Sequence, residues 1–179
     1  MHSILTLSNL MSFSRILLAI PFLYFLSRET ETGNYIALLF ALLGMLTDFL
    51  DGIIARKFNT VTTFGKYLDP VADKICVFAG AIYLSFFRGT LPVWFTLLII
   101  AKDVLLLAGG AFLIFKRKRV IQADLSGKWT VFIVSLTFVC FILDYPQPGM
   151  LFLYASLLLI LYSTAHYVIK SVPLFRKSV

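Results

Sequence analysis

Residues 48–73 read D-F-L-D-G-I-I-A-R-K-F-N-T-V-T-T-F-G-K-Y-L-D-P-V-A-D, and this stretch decides the fold. Apolar sequence extends from both of its ends, back to residue 34 and on to residue 87. The aspartates Asp48, Asp51, Asp69 and Asp73 therefore stand in segments that otherwise read as membrane. A carboxylate near a bilayer core costs a few kcal/mol or more, so four on neighbouring segments call for a compensating charge. Asp48 and Asp51 are spaced i, i+3 and Asp69 and Asp73 i, i+4, which puts each pair on one face of a helix. Antiparallel packing of two such helices, joined by the short polar connection between them, brings both pairs to one depth.

Working outward, the whole chain has the same character. Of its 179 residues 60% are hydrophobic and 14% charged, with a mean hydropathy of +0.92, which excludes an ordinary soluble domain. Spans are expected at residues 10–27, 34–56, 67–87, 91–115, 126–143 and 149–169, each near the roughly 20 residues that cross a hydrocarbon core. The expected fold is all-α, a single membrane domain over residues 1–179 built as a bundle of six transmembrane helices. No polar region is long enough to fold alone, so any site must be made by the spans themselves.

Charge sets the orientation. One set of connections and the C-terminal tail hold Arg56, Lys57, Lys66, Lys116, Arg117, Lys118, Arg119, Lys128, Lys170, Arg176 and Lys177, while the opposite connections hold only Arg28 and Arg88. This asymmetry predicts both termini inside, with a cytoplasmic membrane of bacterial type as the expected location. The connections at 29–33, 88–92 and 144–149 are short, outer turns. The longer polar ones at 57–66 and 116–125 face inside, where a water-soluble substrate is met. Residues 2–9 suit a short interfacial helix. The first apolar run lacks a basic lead and an A-x-A-like cleavage site and reads as a retained span. Cys76 and Cys140 lie in apolar spans without metal-type spacing and read as buried free thiols.

The four carboxylates offer hard oxygen ligands, which suit Mg²⁺ or Mn²⁺, and a Mg²⁺ site commonly leaves positions for substrate phosphates. The competing structural reading pairs them with Arg56, Lys66 and Lys74. Gly52 and Ala55 are small and stand on the carboxylate side, open to a ligand or to close helix packing. Arg56, two turns beyond Asp48, suits a diphosphate with its planar fork or serves as a positive-inside anchor.

Taken together, D-x-x-D-G-x-x-A-R-x8-G-x-x-x-D-x-x-x-D resembles the signature of the CDP-alcohol phosphotransferase family without a departure. Eight fixed positions at roughly 1 in 20 each make a chance match on the order of 10⁻¹⁰ per start site. The resemblance implies six membrane helices, one or two Mg²⁺ or Mn²⁺ ions held by Asp48, Asp51, Asp69 and Asp73, and Asp73 as general base. It implies further that Gly52, Ala55, Arg56 and Gly65 meet the CDP-lipid, joined by Thr62 in the connection. Asn9 and Ser12, in N-L-M-S-F-S-R, resemble the family's polar opening of the first helix and would also meet the CDP moiety. Arg15 of the same string is an alternative contact or a snorkelling residue, and Asn9 is alternatively a helix N-cap.

Three lysines are candidates for the acceptor. Lys102, followed by Asp103, stands where relatives using a phosphorylated or phospholipid acceptor carry an Arg and an acid. Adjacent residues diverge around a helix, so Lys102 and Asp103 are not expected to pair with each other. Lys128, in S-G-K-W-T, resembles the entry to the fifth helix in relatives with such acceptors, and Lys66 lies on the same inner side.

The expected reaction is transfer of a phosphatidyl group from CDP-diacylglycerol to glycerol 3-phosphate with release of CMP, and the rival acceptor is phosphatidylglycerol, giving cardiolipin. Membrane lipids and a second copy in a homodimer are the expected partners, with no nucleic acid. A divalent-cation transporter is the reading from a different class; it predicts ligands at mid-membrane, whereas these aspartates crowd the inner ends.

Overall fold

The computed structural model describes the backbone of residues 7–58, 65–117 and 125–176, and the side chains of residues 13–47, 74–109, 127–166, 168 and 169. Every regular element among them is helical: α1 (Leu7–Leu26), α2 (Glu31–Phe58), α3 (Gly65–Ile82) continuing into a π-helical turn (Tyr83–Phe87), α4 (Val93–Arg117), α5 (Leu125–Ile142) and α6 (Pro146–Arg176). The expected spans correspond one to one with these helices, with boundaries shifted by at most three residues except at the end of α6, which runs seven residues further. Residues 1–6, where most of the interfacial segment falls, lie outside the described residues. The chain divides into two compact units, Met1–Pro92 and Val93–Val179.

In the first unit α1 packs against both α2 and α3. Its buried line is Arg15, Ala19, Phe22 and Leu26, spaced i, i+4, i+7 and i+11 as one helical face requires. Phe22 lies against α3 at Gly80, where an added Cβ would come within 3.0 Å of the Phe22 ring. Phe25 stacks on Phe40 of α2 with centroids 5.8 Å apart. The line Phe13, Leu17, Ile20 and Tyr24 on the other side of α1 is exposed, at 49–65%. This helix is apolar on both its covered and its uncovered face.

Turn chemistry fixes the ends of the helices. Thr30 caps α2, its Oγ1 accepting from the Gly33 N–H at 3.1 Å, which satisfies one of the first-turn donors. Gly33 itself is required there, since a Cβ would fall 2.7 Å from the Phe25 carbonyl oxygen. Left-handed backbone occurs once in each short connection, at Glu29 (φ 51°), Gly89 (φ 69°) and Asp144 (φ 59°). After α5, the Tyr145 N–H reaches the Cys140 carbonyl at 2.8 Å and the Asp144 N–H reaches Phe141 at 3.4 Å, the paired bonds of a Schellman stop. Pro146 then opens α6, a position that needs no N–H.

In the second unit α5 and α6 pack along their length. Gly127 lies opposite Ser163 and Gly149 opposite Phe141, while Thr130 Oγ1 donates to the Leu159 carbonyl at 3.3 Å. These pairs advance in opposite directions, so the helices are antiparallel. The buried hydroxyls of Thr137 and Ser156 donate back to their own helices, at Ile133 (3.0 Å) and Leu153 (2.7 Å), which lets them sit in an apolar seam. On α4 the buried positions are Phe95, Thr96, Ile99 and Asp103.

Within the described residues, Pro146–His166 of α6 is the one helical stretch long and apolar enough by itself to cross a membrane; Phe13–Leu26, Glu31–Thr47, Lys74–Phe87 and Gly127–Ile142 are shorter apolar stretches. Cys76 and Cys140 are free and half-buried, where full burial was expected.

Candidate active site

The motif occupies the facing ends of two helices. Asp48, Asp51, Gly52, Ala55 and Arg56 belong to the last three turns of α2, and Gly65, Lys66, Asp69 and Asp73 to the first turns of α3. Their side chains lie outside the described residues, as do those of Asn9 and Ser12 in α1, and Thr62 lies wholly outside. The backbone is helical through both aspartate pairs, so each keeps the shared face that its spacing predicts. Asn9 falls inside the first turn of α1, a helical position and not the cap.

The described far ends of these helices supply a ruler. Tyr83 Oη donates to Glu29 Oε1 at 2.8 Å, and Arg88 Nη1 donates to Asn34 Oδ1 at 3.2 Å. The start of α2 therefore adjoins the end of the α3 continuation, and the two helices run antiparallel. At 1.5 Å per residue, Asp48 and Asp51 lie about 21 and 25 Å along α2 from Asn34. Asp73 and Asp69 lie about 22 and 28 Å back from Arg88 on the same measure. Both pairs fall at one level of the unit. Four carboxylates at that level are a donor set of the right chemical type and number for a hard divalent cation with sites left for phosphate oxygens. Among the described residues no group of three or more His, Cys, Asp and Glu side chains assembles.

The acceptor candidates belong to the second unit, except for Lys66. Lys128 is exposed in the first turn of α5. Lys102 corrects the sequence expectation: its Nζ lies 3.1 Å from Oδ1 of its neighbour Asp103, with the side chains 14% and 5% exposed. Adjacent residues do diverge around a helix, but the four-carbon lysine stem is long enough to bring the ammonium back. Little water reaches this pair, so attraction between the two charges outweighs the divergence of their stems. Arg15 also departs from the snorkelling alternative, at 5% exposure on the buried face of α1. Its spacing with Ala19, Phe22 and Leu26 was the signal in the sequence.

The family model for CDP-alcohol phosphatidyltransferase matches residues 5–165. The chain belongs to this family. It is thus a transferase, which removes the transporter reading. A CDP-diacylglycerol–glycerol-3-phosphate 3-phosphatidyltransferase of Aquifex aeolicus is 40% identical over 130 residues, covering 72% of this chain and 71% of that protein. A protein of the same name from Mycoplasma genitalium is 30% identical over 160 residues, 79% of this chain and 67% of that one. A CMP-forming cardiolipin synthase of Streptomyces coelicolor is 34% identical over 108 residues, 58% of this chain and about half (49%) of the relative.

Proposed function

We propose that this phosphatidyltransferase moves the phosphatidyl group of CDP-diacylglycerol to glycerol 3-phosphate, giving phosphatidylglycerophosphate and CMP. The observation that carries the reading is the unbroken motif on two antiparallel helix ends, with both aspartate pairs at one level. The choice of acceptor is supported by the Aquifex relative, which matches at 40% identity over most of both chains. Phosphatidylglycerol as acceptor is the second reading, favoured by the Streptomyces cardiolipin synthase.

In this mechanism Asp73 takes the proton of the acceptor hydroxyl as its oxygen attacks the phosphorus that bears diacylglycerol. A new P–O bond forms to the acceptor, the bond to the CMP phosphate oxygen breaks, and CMP leaves with the electron pair. Gly52 and Ala55 leave room for the nucleotide beside α2, with Gly65 opening α3 and Thr62 between them. Arg56 pairs with the diphosphate through its fork, and Asn9 and Ser12 meet the CDP moiety from α1. Lys66 draws in the acceptor phosphate, with Lys102 and Lys128 the further candidates for that role. Held by Asp48, Asp51, Asp69 and Asp73, one or two Mg²⁺ or Mn²⁺ ions would supply charge neutralisation at the diphosphate.

The chain acts as one domain embedded in a bacterial cytoplasmic membrane, both termini and the site on the inner side, and as a homodimer. Embedding is supported by α1, whose uncovered line Phe13, Leu17, Ile20 and Tyr24 is as apolar as its covered one, a pattern suited to lipid. The basic residues of the 57–66 and 116–125 connections support the orientation.

The deciding experiment incubates purified protein with CDP-diacylglycerol, Mg²⁺ and a panel of labelled acceptors and identifies the product. Labelled phosphatidylglycerophosphate from glycerol 3-phosphate is expected. Consumption of phosphatidylglycerol alone would replace the first acceptor by the second.

A further inference from the structure

Arg15 carries a full positive charge on the buried face of α1, at 5% exposure. An ionised side chain so placed is retained in an apolar interior when an opposite charge stands near it. In the Met1–Pro92 unit the acids are Glu29, Glu31 and the four motif aspartates. Both glutamates are exposed at the far end of α1, about 21 Å or more from Arg15 along the helix axis. The countercharge within the unit therefore comes from the aspartates.

Helix register says which. Phe22 meets α3 at Gly80, and α1 and α3 run in the same direction, because each is antiparallel to α2. Seven residues back from this contact on both helices stand Arg15 and Asp73, level with each other. Arg15 lies about 20° around α1 from Phe22, its contact with α3, and about 80° from Phe25, its contact with α2. Asp69 and Asp73 share the line of Gly80 on α3 to within about 20°. Arg15 is thus turned to the helix carrying Asp69 and Asp73 more than to the one carrying Asp48 and Asp51.

We propose that Arg15 is a positioning residue for the α3 carboxylates: its guanidinium offsets their mutual repulsion and holds Asp73 oriented for proton abstraction. The assignment rests on the proposed role of Asp73, so the test carries one arm independent of catalysis. In metal-free protein in detergent, thermal unfolding is measured for Arg15→Met, Asp73→Asn and the double variant, with Asp48→Asn in place of Asp73→Asn as the comparison.

The expected result is that the Arg15→Met and Asp73→Asn shifts in Tm do not add, the double variant being no less stable than the worse single one, while Arg15→Met and Asp48→Asn add. Additive shifts with Asp73, or non-additive shifts with Asp48 alone, overturn the proposal. In the turnover arm, Arg15→Met lowers kcat about tenfold or more with the CDP-diacylglycerol KM within about twofold, and Arg15→Lys recovers most of kcat. A wild-type kcat in Arg15→Met, or a change confined to KM, overturns it as well. Arg15→Gln replaces Arg15→Met throughout if the latter does not fold. An enzyme releasing no CMP with any acceptor defeats the functional reading, and the unfolding arm still decides the pairing.

Discussion

Tyr83, in the π-helical turn that ends α3, donates a 2.8 Å hydrogen bond to Glu29 in the turn between α1 and α2. Beside it Arg88 reaches Asn34, which is buried at 3% exposure. Together these contacts fasten the far ends of the two helices that carry the motif. Removing the Arg88 donor with Arg88→Ala should cost about 1.5–3 kcal/mol, the usual net worth of a hydrogen bond made by a charged group. Thermal unfolding in detergent should show the loss, with kcat unchanged at temperatures where the variant stays folded.

Gly80 sets how closely α1 and α3 approach. A methyl group there meets the Phe22 ring at 3.0 Å, so Gly80→Ala should be tolerated with a small ring movement. Gly80→Leu overfills the contact and should destabilise by about 1–3 kcal/mol. A melting series across Gly, Ala and Leu checks the order, and Phe22→Ala should relieve part of the leucine penalty.

Asp73→Asn should leave the fold intact and reduce CMP release by about 10²-fold or more, the range expected for loss of a general base. Measuring CMP release alongside the melting temperature separates the two effects. Wild-type turnover in this variant would remove Asp73 as base.

Chelation should act through the same carboxylates. Dialysis against EDTA should abolish turnover, and Mg²⁺ or Mn²⁺ should restore it where Zn²⁺ does less, since hard oxygen ligands favour the former. Titrating each metal into apo-protein while recording the initial rate gives the comparison. Persistence of full activity after complete chelation would contradict the metal assignment.

Lys102 and Asp103 form a pair shielded from water. Lys102→Met should destabilise more than Lys102→Met combined with Asp103→Asn, because the single change takes the lysine's charge away from a carboxylate in a dry setting. If Lys102 also draws the acceptor phosphate, the double variant should show a raised glycerol 3-phosphate KM with its stability largely recovered.

Six helices were legible in the sequence because apolar runs of about the right length alternate with short turn-forming or basic connections. The shared level of Asp48, Asp51, Asp69 and Asp73 was equally legible from spacing and helical rise, and the Glu29–Tyr83 and Asn34–Arg88 contacts supply the antiparallel arrangement on which it depended. Burial of Arg15 was harder to read, because an arginine near the end of an apolar run fits snorkelling and burial alike until the line through Ala19, Phe22 and Leu26 is seen to face α3. The Lys102–Asp103 pair escapes the angular rule for neighbours because that rule treats side chains as short. The π-helical turn after Ile82 has no signature in Y-L-S-F-F; the Arg88 N–H reaching the Tyr83 carbonyl at 3.0 Å defines it.

The length of α2 has a further consequence. Its 28 residues run to about 42 Å, against a hydrocarbon thickness of about 30 Å. In the proposed embedding, with Glu31 at the outer boundary, Asp48 and Asp51 would lie about 26 and 30 Å down the axis, where acyl chains give way to headgroups. A diphosphate tethered to two acyl chains would rest at that height. Catalysis would then be a two-dimensional encounter: turnover should follow the mole fraction of liponucleotide within its own leaflet, and diluting it with inert lipid should slow the enzyme even when its total concentration is held constant.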